Sequence, residues 1–171
     1  MPFANLASGK VWWEELTRAT LGSPALTLAT STFTARKYIQ LRIIVKQSGA
    51  AISPWIRFNG DTGNNYSLRY SANYSAGTAL GSQNGFSINP GTLQTDVLSV
   101  ADIYNEVSKE KQAYIVATDL STAGAANVPN IITSNAKWAN TANQITSISL
   151  FESGTANNFG TGTEIVVLGH D

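Results

Sequence analysis

An all-β chain, folded as an antiparallel, jelly-roll-like β-sandwich of roughly eight or nine strands, is what the sequence predicts. Three observations carry that prediction. Short runs with the period of two that half-buried strands require recur along the chain. Gly, Asn, Asp and Pro punctuate them at short spacing, which favours a sandwich over alternating β and α units. Helical periodicity is thin and no internal repeat is visible, so a propeller or solenoid is excluded.

The elements follow in order. Residues 1–10 read as a leader or arm and 11–171 as a single domain, since 171 residues suffice for one well-buried core and are short for two. Val11 to Leu21 is taken as a strand in preference to a turn or two of amphipathic helix, because Thr17, Thr20 and Leu21 suit an extended backbone. Thr27 to Phe33 alternates loosely. Tyr38 to Lys46 is the clearest strand: Ile39, Leu41, Ile43 and Val45 share one face, while Tyr38, Gln40, Arg42 and Lys46 take the other and Ile44 departs from the pattern.

Trp55 to Tyr70 reads as one long hairpin. Ile56 and Phe58 alternate before its turn, Tyr66, Leu68 and Tyr70 after it. Asn59, Gly60, Asp61, Gly63, Asn64 and Asn65 supply the turn chemistry: two glycines that accept positive φ, and Asn and Asp side chains that bond neighbouring backbone. Ser71 to Gly85 holds almost no large apolar residue and reads as a long surface loop. Phe86 to Ile88 is a short strand ended at Asn89-Pro90-Gly91, Asp96 to Val107 a strand with an irregular end, and Gln112 to Thr118 a strand. Leu120 to Asn130 is a second small-residue loop. Lys137 to Asn143 leads into a strand over Gln144 to Phe151, and Glu164 to Leu168 closes the chain. Between these last two, Phe159 is the one large side chain of Glu152 to Gly162 and is expected to fold back as a plug over one end of the core.

Charge excludes several functions. Lys plus Arg (11) equals Asp plus Glu (11), and charged residues are 13% of the chain, whereas a nucleic-acid binder shows a clustered basic excess. Arg36-Lys37 and Lys109-Glu110-Lys111 are too short and too compensated to track phosphates and read as solvated faces. With no cysteine, zinc-ribbon and redox motifs drop out. No run approaches the ~18 apolar residues of a membrane span. The N-terminus lacks the basic start and apolar core of a secretory signal, so synthesis in a cytoplasm is expected. Ala, Ser, Thr, Asn and Gly take the place of charge, and a surface of such short side chains loses little entropy on docking.

The search for chemistry is nearly empty. The sole histidine, His170, is penultimate, and a mobile chain end does not hold a general base in place. Phosphate loops, nucleophile elbows and His-Glu-x-x-His are absent. A glycosidase pair would have to come from Asp61, Asp96, Asp102, Glu106, Asp119, Glu152 and Glu164, which spacing does not bring together. Asn59 to Asn65 offers oxygens for calcium, but with one carboxylate and no EF-hand spacing it reads as a self-bonded turn. No cofactor or metal is expected. Of the four tryptophans, Trp55 and Trp138 read as core or rim. Adjacent Trp12 and Trp13 place one ring outward, and are the interface candidates for a protein neighbour or a glycan.

Three landmarks in order give the chain a resemblance to structural proteins of tailed phages and related viruses. They are Trp13-Glu14 followed by Phe33-Thr34-Ala35-Arg36-Lys37-Tyr38, the FNGDTGNNYS turn from Phe58 to Ser67, and Asn158-Phe159 leading through Gly162-Thr163 to Val167-Leu168-Gly169. The last replaces a commoner aromatic ending, and Val97 to Lys111 matches the family's Asp-Tyr-bearing segment loosely. The resemblance implies a virion component without enzymatic activity. Within virions the expected role is a capsid decoration or cement protein, a homotrimer bound between capsomers of the major capsid protein, with neither nucleic acid nor membrane as partner. The alternative is a tail or fibre module that binds a host glycan through the loops Ser71 to Gly85 and Leu120 to Asn130.

Overall fold

The structure is a computed structural model and describes residues 12–49, 51–89, 96–119, 124–154 and 157–171. The leader expected at 1–10, the break at Pro90-Gly91 and the start of the loop at Leu120 lie outside them. Twelve strands follow one another: β1 (Glu14–Thr20), β2 (Thr27–Ala29), β3 (Tyr38–Val45), β4 (Pro54–Phe58), β5 (Tyr66–Ala72) and β6 (Thr78–Gln83). The second half adds β7 (Phe86–Ser87), β8 (Val97–Tyr104), β9 (Lys111–Asp119), β10 (Asn130–Trp138), β11 (Ile148–Glu152) and β12 (Glu164–His170). Eight form one sheet, in the order β1-β12-β3-β8-β9-β10-β5-β6, and four form the other, β2-β11-β4-β7. Every pairing is antiparallel. This is the all-β antiparallel sandwich that the period-two runs predict, with twelve strands among the described residues in place of eight or nine.

The alternation of β3 is realised: Ile39, Leu41, Ile43 and Val45 are buried, while Tyr38, Arg42 and Ile44 are exposed. Small inward residues on β8, β9 and β10, among them Ser99, Ala101, Ala113, Ser134 and Ala136, are buried as well. Large rings fill the space at one end of the sandwich. Phe58 and Phe86 from the small sheet meet edge-on at 5.2 Å, and Phe58 meets Trp138 of the large sheet at 5.7 Å. Such edge-to-face contacts contribute about 0.5–1.5 kcal/mol each beyond burial. Phe159 is fully buried and bridges Ala25 and Gln47, so it is the plug the sequence suggests.

Four expectations are corrected. Trp55 to Tyr70 is not a hairpin: β4 belongs to the small sheet and β5 to the large one, and residues 59–65 carry the chain between them. A period of two reveals strands without naming their partners, and a seven-residue connection is longer than hairpin turns of 2–5 residues. The loop read at Ser71 to Gly85 contains β6, an edge strand paired with β5. Its Thr, Ala, Gly and Ser residues give no apolar alternation because the edge buries little. Similarly β10 begins inside the loop read to Asn130 and runs through Lys137, hidden because Ser134 and Ala136 hold inward positions that Ile or Val would have marked. Lastly, Lys111 is not on a solvated face. It is 1% exposed, its ammonium donating to the carbonyls of Lys109 (2.6 Å) and Asn140 (2.9 Å), and burial lowers its pKa.

The register of the large sheet lines up its outward side chains in rungs that cross the strands. One rung runs His170, Tyr38, Tyr104, Gln112, Lys137 and Ser67. The next runs Leu168, Gln40, Asp102, Tyr114, Asn135, Arg69 and Ala79. A third holds Val166, Arg42, Val100, Val116, Thr133 and Ser71, and the fourth Glu164, Ile44, Leu98, Thr118 and Ile131.

Candidate functional site

Two places gather the residues singled out in the sequence: the corner between the sheets, and the outer face of the large sheet. The corner is structural. Asn59 and Gly60 take positive φ, 52° and 68°, and turn the chain out of β4. The Asn59 side chain donates to the Gln144 carbonyl (2.8 Å) and accepts from the amides of Thr146 (2.8 Å) and Ser147 (3.1 Å). Asp61 is ringed by donors: Trp138 Nε1 at 2.7 Å, Gly63 N at 2.8 Å and Asn65 Nδ2 at 2.9 Å. A Cβ on Gly63 would stand 2.8 Å from Asn65 Nδ2 and 3.1 Å from Asp61 Oδ1, so a side chain there would displace the Asn65 amide. Asn64 is exposed. Burial pulls the Asp61 pKa up, but the hydrogen bonds from Trp138, Asn65 and Gly63 and the Arg57 charge outweigh it and leave the pKa lowered.

These contacts bear on the calcium reading. Cations need oxygens turned toward a common centre, whereas the oxygens of Asn59 and Asp61 face N–H groups of the protein itself. Among the described residues no three His, Asp or Glu side chains cluster to hold a metal. The carboxylates weighed as a glycosidase pair each have a partner within the fold. Asp96 pairs with Lys46 (2.6 Å), Asp102 accepts from Gln40 (2.9 Å), Asp119 from Asn130 (2.8 Å) and Glu164 from Arg18 (2.9 Å). Glu106 bonds Tyr104, and Glu152 accepts from Ser53 N.

The outer face is where the interface candidates lie. Trp12 is 81% exposed and Trp13 42%. Trp13 packs edge-on against His170 at 4.5 Å, His170 stacks on Tyr38 at 4.9 Å, and Tyr38 lies 5.9 Å from Tyr104. His170 is therefore a strand residue held between two rings, not a loose end. Trp138 is buried at the corner, and Trp55 is half-buried on β4 beside Phe151. The remaining aromatic of this face, Tyr114, is 48% exposed.

Sequence reading passed over Tyr38, Tyr104, Tyr114 and His170 as a group. Each occupies the outward phase of its strand, and an aromatic on the polar side of an alternation was the available signal. Their clustering depends on the β3-β8-β9 and β12-β3 registers, which no single strand encodes.

No protein-family model matches the chain, and no curated protein does. Among solved structures, the catalytic domain of an endo-1,3-beta-glucanase (laminarinase) from Thermotoga petrophila RKU-1 aligns over 92% of this chain and 78% of that one, with 11% identity and a TM-score of 0.24. A similarity of that size carries no argument about fold or activity.

Proposed function

We propose that the protein is a non-enzymatic component of a tailed-phage particle, a homotrimeric decoration or cement protein that docks between capsomers. The observation that supports the reading best is the apolar end of the large sheet. Ile44 and Leu98 oppose each other across β3 and β8, 39% and 50% exposed, and the neighbouring rung continues them with Val100 opposite Val116. Arg42, Glu164 and Arg18, which pairs with Val166 from β1 and bonds Glu164, are the charged side chains of these two rungs. Scattered exposed aliphatics are ordinary, whereas a contiguous exposed patch marks an interaction surface. A repeated shell multiplies a weak contact through avidity, about 10²–10⁴-fold. The three sequence landmarks of phage structural proteins supply the partner.

The test is co-sedimentation of purified protein with capsids of its phage that lack it. Saturable binding is expected, and Leu98→Lys should weaken it at least about tenfold, the equivalent of about 1.4 kcal/mol per contact. Its thermal unfolding should change little, because the side chain faces out. Unaltered binding by Leu98→Lys, or no binding by either protein, would refute the docking surface.

A further inference from the structure

The same face of the sheet carries a second, chemically different surface, whose two rungs lie about 20 and 13 Å along the strands from Ile44 and Leu98. There the first two rungs form the walls of two adjoining grooves, about 620 Å³ and 500 Å³, that share Gln112, Ala113 and Asn135. Together they make one trough running across the strands from Trp13 to Gly81. Between β3 and β6 it crosses five strand spacings, roughly 24 Å at ~4.8 Å each.

We infer that this trough binds a linear, uncharged oligosaccharide. A pyranose ring presents an apolar C–H face and a rim of hydroxyls, each both donor and acceptor, and the trough offers a counterpart to both. Trp13 and Tyr114 are 42% and 48% exposed, so their rings are open to stacking, whereas the Tyr38 ring is covered by His170 and by the Lys37 ammonium at 5.6 Å and serves as support. The chain of ring contacts from Trp13 through His170 and Tyr38 to Tyr104 fixes the first of them in place, which lowers the ordering cost of binding. Beside the rings, the amides of Gln112 and Asn135 have no hydrogen-bond partner among the described residues. An amide terminus carries a donor and an acceptor together, which suits a hydroxyl. Asp102 accepts from Gln40 Nε2 through one oxygen, and its other oxygen adds a charged acceptor.

The features that fit a sugar disfavour other ligands. Along β8, β9 and β10 the floor of the trough is sheet backbone paired on both sides, so an extended peptide lying there finds no edge to add to; the free edge is at β6, where the trough ends. Charge along the trough is mixed, with Asp102 in one groove and Arg69 and Lys137 in the other and Lys137 paired to Glu110, and a balance of 11 basic and 11 acidic residues makes no phosphate track. The binding surface thus lies across the sheet and reaches the segment Ser71 to Gly85 at β6. It adjoins the apolar end proposed to meet the capsid, about 7 Å along the strands from the Val100–Val116 rung, so the two sites are told apart by substitution.

Titration of the purified protein with linear hexasaccharides of glucose, mannose and galactose, followed by tryptophan fluorescence and calorimetry, tests this directly. Saturable binding to at least one is expected. Tyr114→Ala and Gln112→Ala, both outward-facing, should each weaken it roughly tenfold while thermal unfolding stays unchanged. Absence of binding across the panel, binding indifferent to both substitutions, or perturbation by a proline-rich peptide alone would overturn the assignment. Leu98→Lys should leave sugar binding intact, so failure here and failure of capsid docking are read separately.

Discussion

Replacing Asp61 with alanine is expected to lower the unfolding free energy by roughly 2–4 kcal/mol, the scale of losing charge-assisted hydrogen bonds in a part-buried site. The carboxylate joins the turn to the core by accepting from Trp138 Nε1, Gly63 N and Asn65 Nδ2. Without it the indole N–H of a side chain only 1% exposed loses its partner. Tyr66 shares the corner. Its hydroxyl accepts from Phe58 N at 3.0 Å and lies 3.3 Å from the carbonyl oxygens of both Phe58 and Asp61, either of which can accept its hydrogen bond.

Two pH limbs follow. The folded pKa of Asp61 lies below its unfolded value of about 3.9, so its contribution is present above that pH and fades as pH falls through the folded value. Tyr66 is pushed up to about 12, first by burial. Its neutral form is therefore the one the fold prefers, and stability falls as pH rises from ~10 towards that value. Urea unfolding at a series of pH values checks both limbs. Asp61→Asn should flatten the acid limb and Tyr66→Phe the alkaline one. An Asp61→Ala protein as stable as the parent at neutral pH would show that the corner is not held this way.

Phe159→Ala is expected to cost about 3–5 kcal/mol, the range for truncating a fully buried ring. The residue joins two parts of the chain remote from it, through Phe159 N to the Ala25 carbonyl (2.8 Å) and the bridge to Gln47. Next to it, a Cβ on Gly160 would come within 2.7 Å of the Gln47 carbonyl oxygen, so the segment has little room to close the cavity. The loss should appear in thermal unfolding, and in faster hydrogen exchange at Gly160 N, which donates to the Lys46 carbonyl at 2.7 Å. A change under about 1 kcal/mol would mean that the end of the sandwich collapses freely around the gap.

What could be read from the chain was the part written in single strands. Ile39 to Val45 and Ala113 to Ala117 alternate cleanly because one side faces the core, and Phe159 stood out as the one large residue in a polar segment. Pairing was not legible. The corner at Asn59 to Asn65 was found as a turn by its Gly and Asn content, but its role as a crossing between sheets rests on Asp61 meeting Trp138, far along the chain. The trough was hidden for the same reason: Tyr38, Asp102, Tyr114 and Asn135 come from four strands and meet only through register. Trp12 and Trp13 were visible as outward aromatics, but nothing nearby in sequence said that Trp13 would lean on His170.

The central claim is that the protein is a fixture of the phage shell, and imaging decides it most directly. Purified particles of the phage carrying a tagged copy would be reconstructed by electron cryomicroscopy. The account predicts regular density at three-fold or pseudo-three-fold positions of the capsid, with the Ile44–Leu98 end of the large sheet against the shell. Tagged density confined to the tail, or particles that carry none, would contradict it.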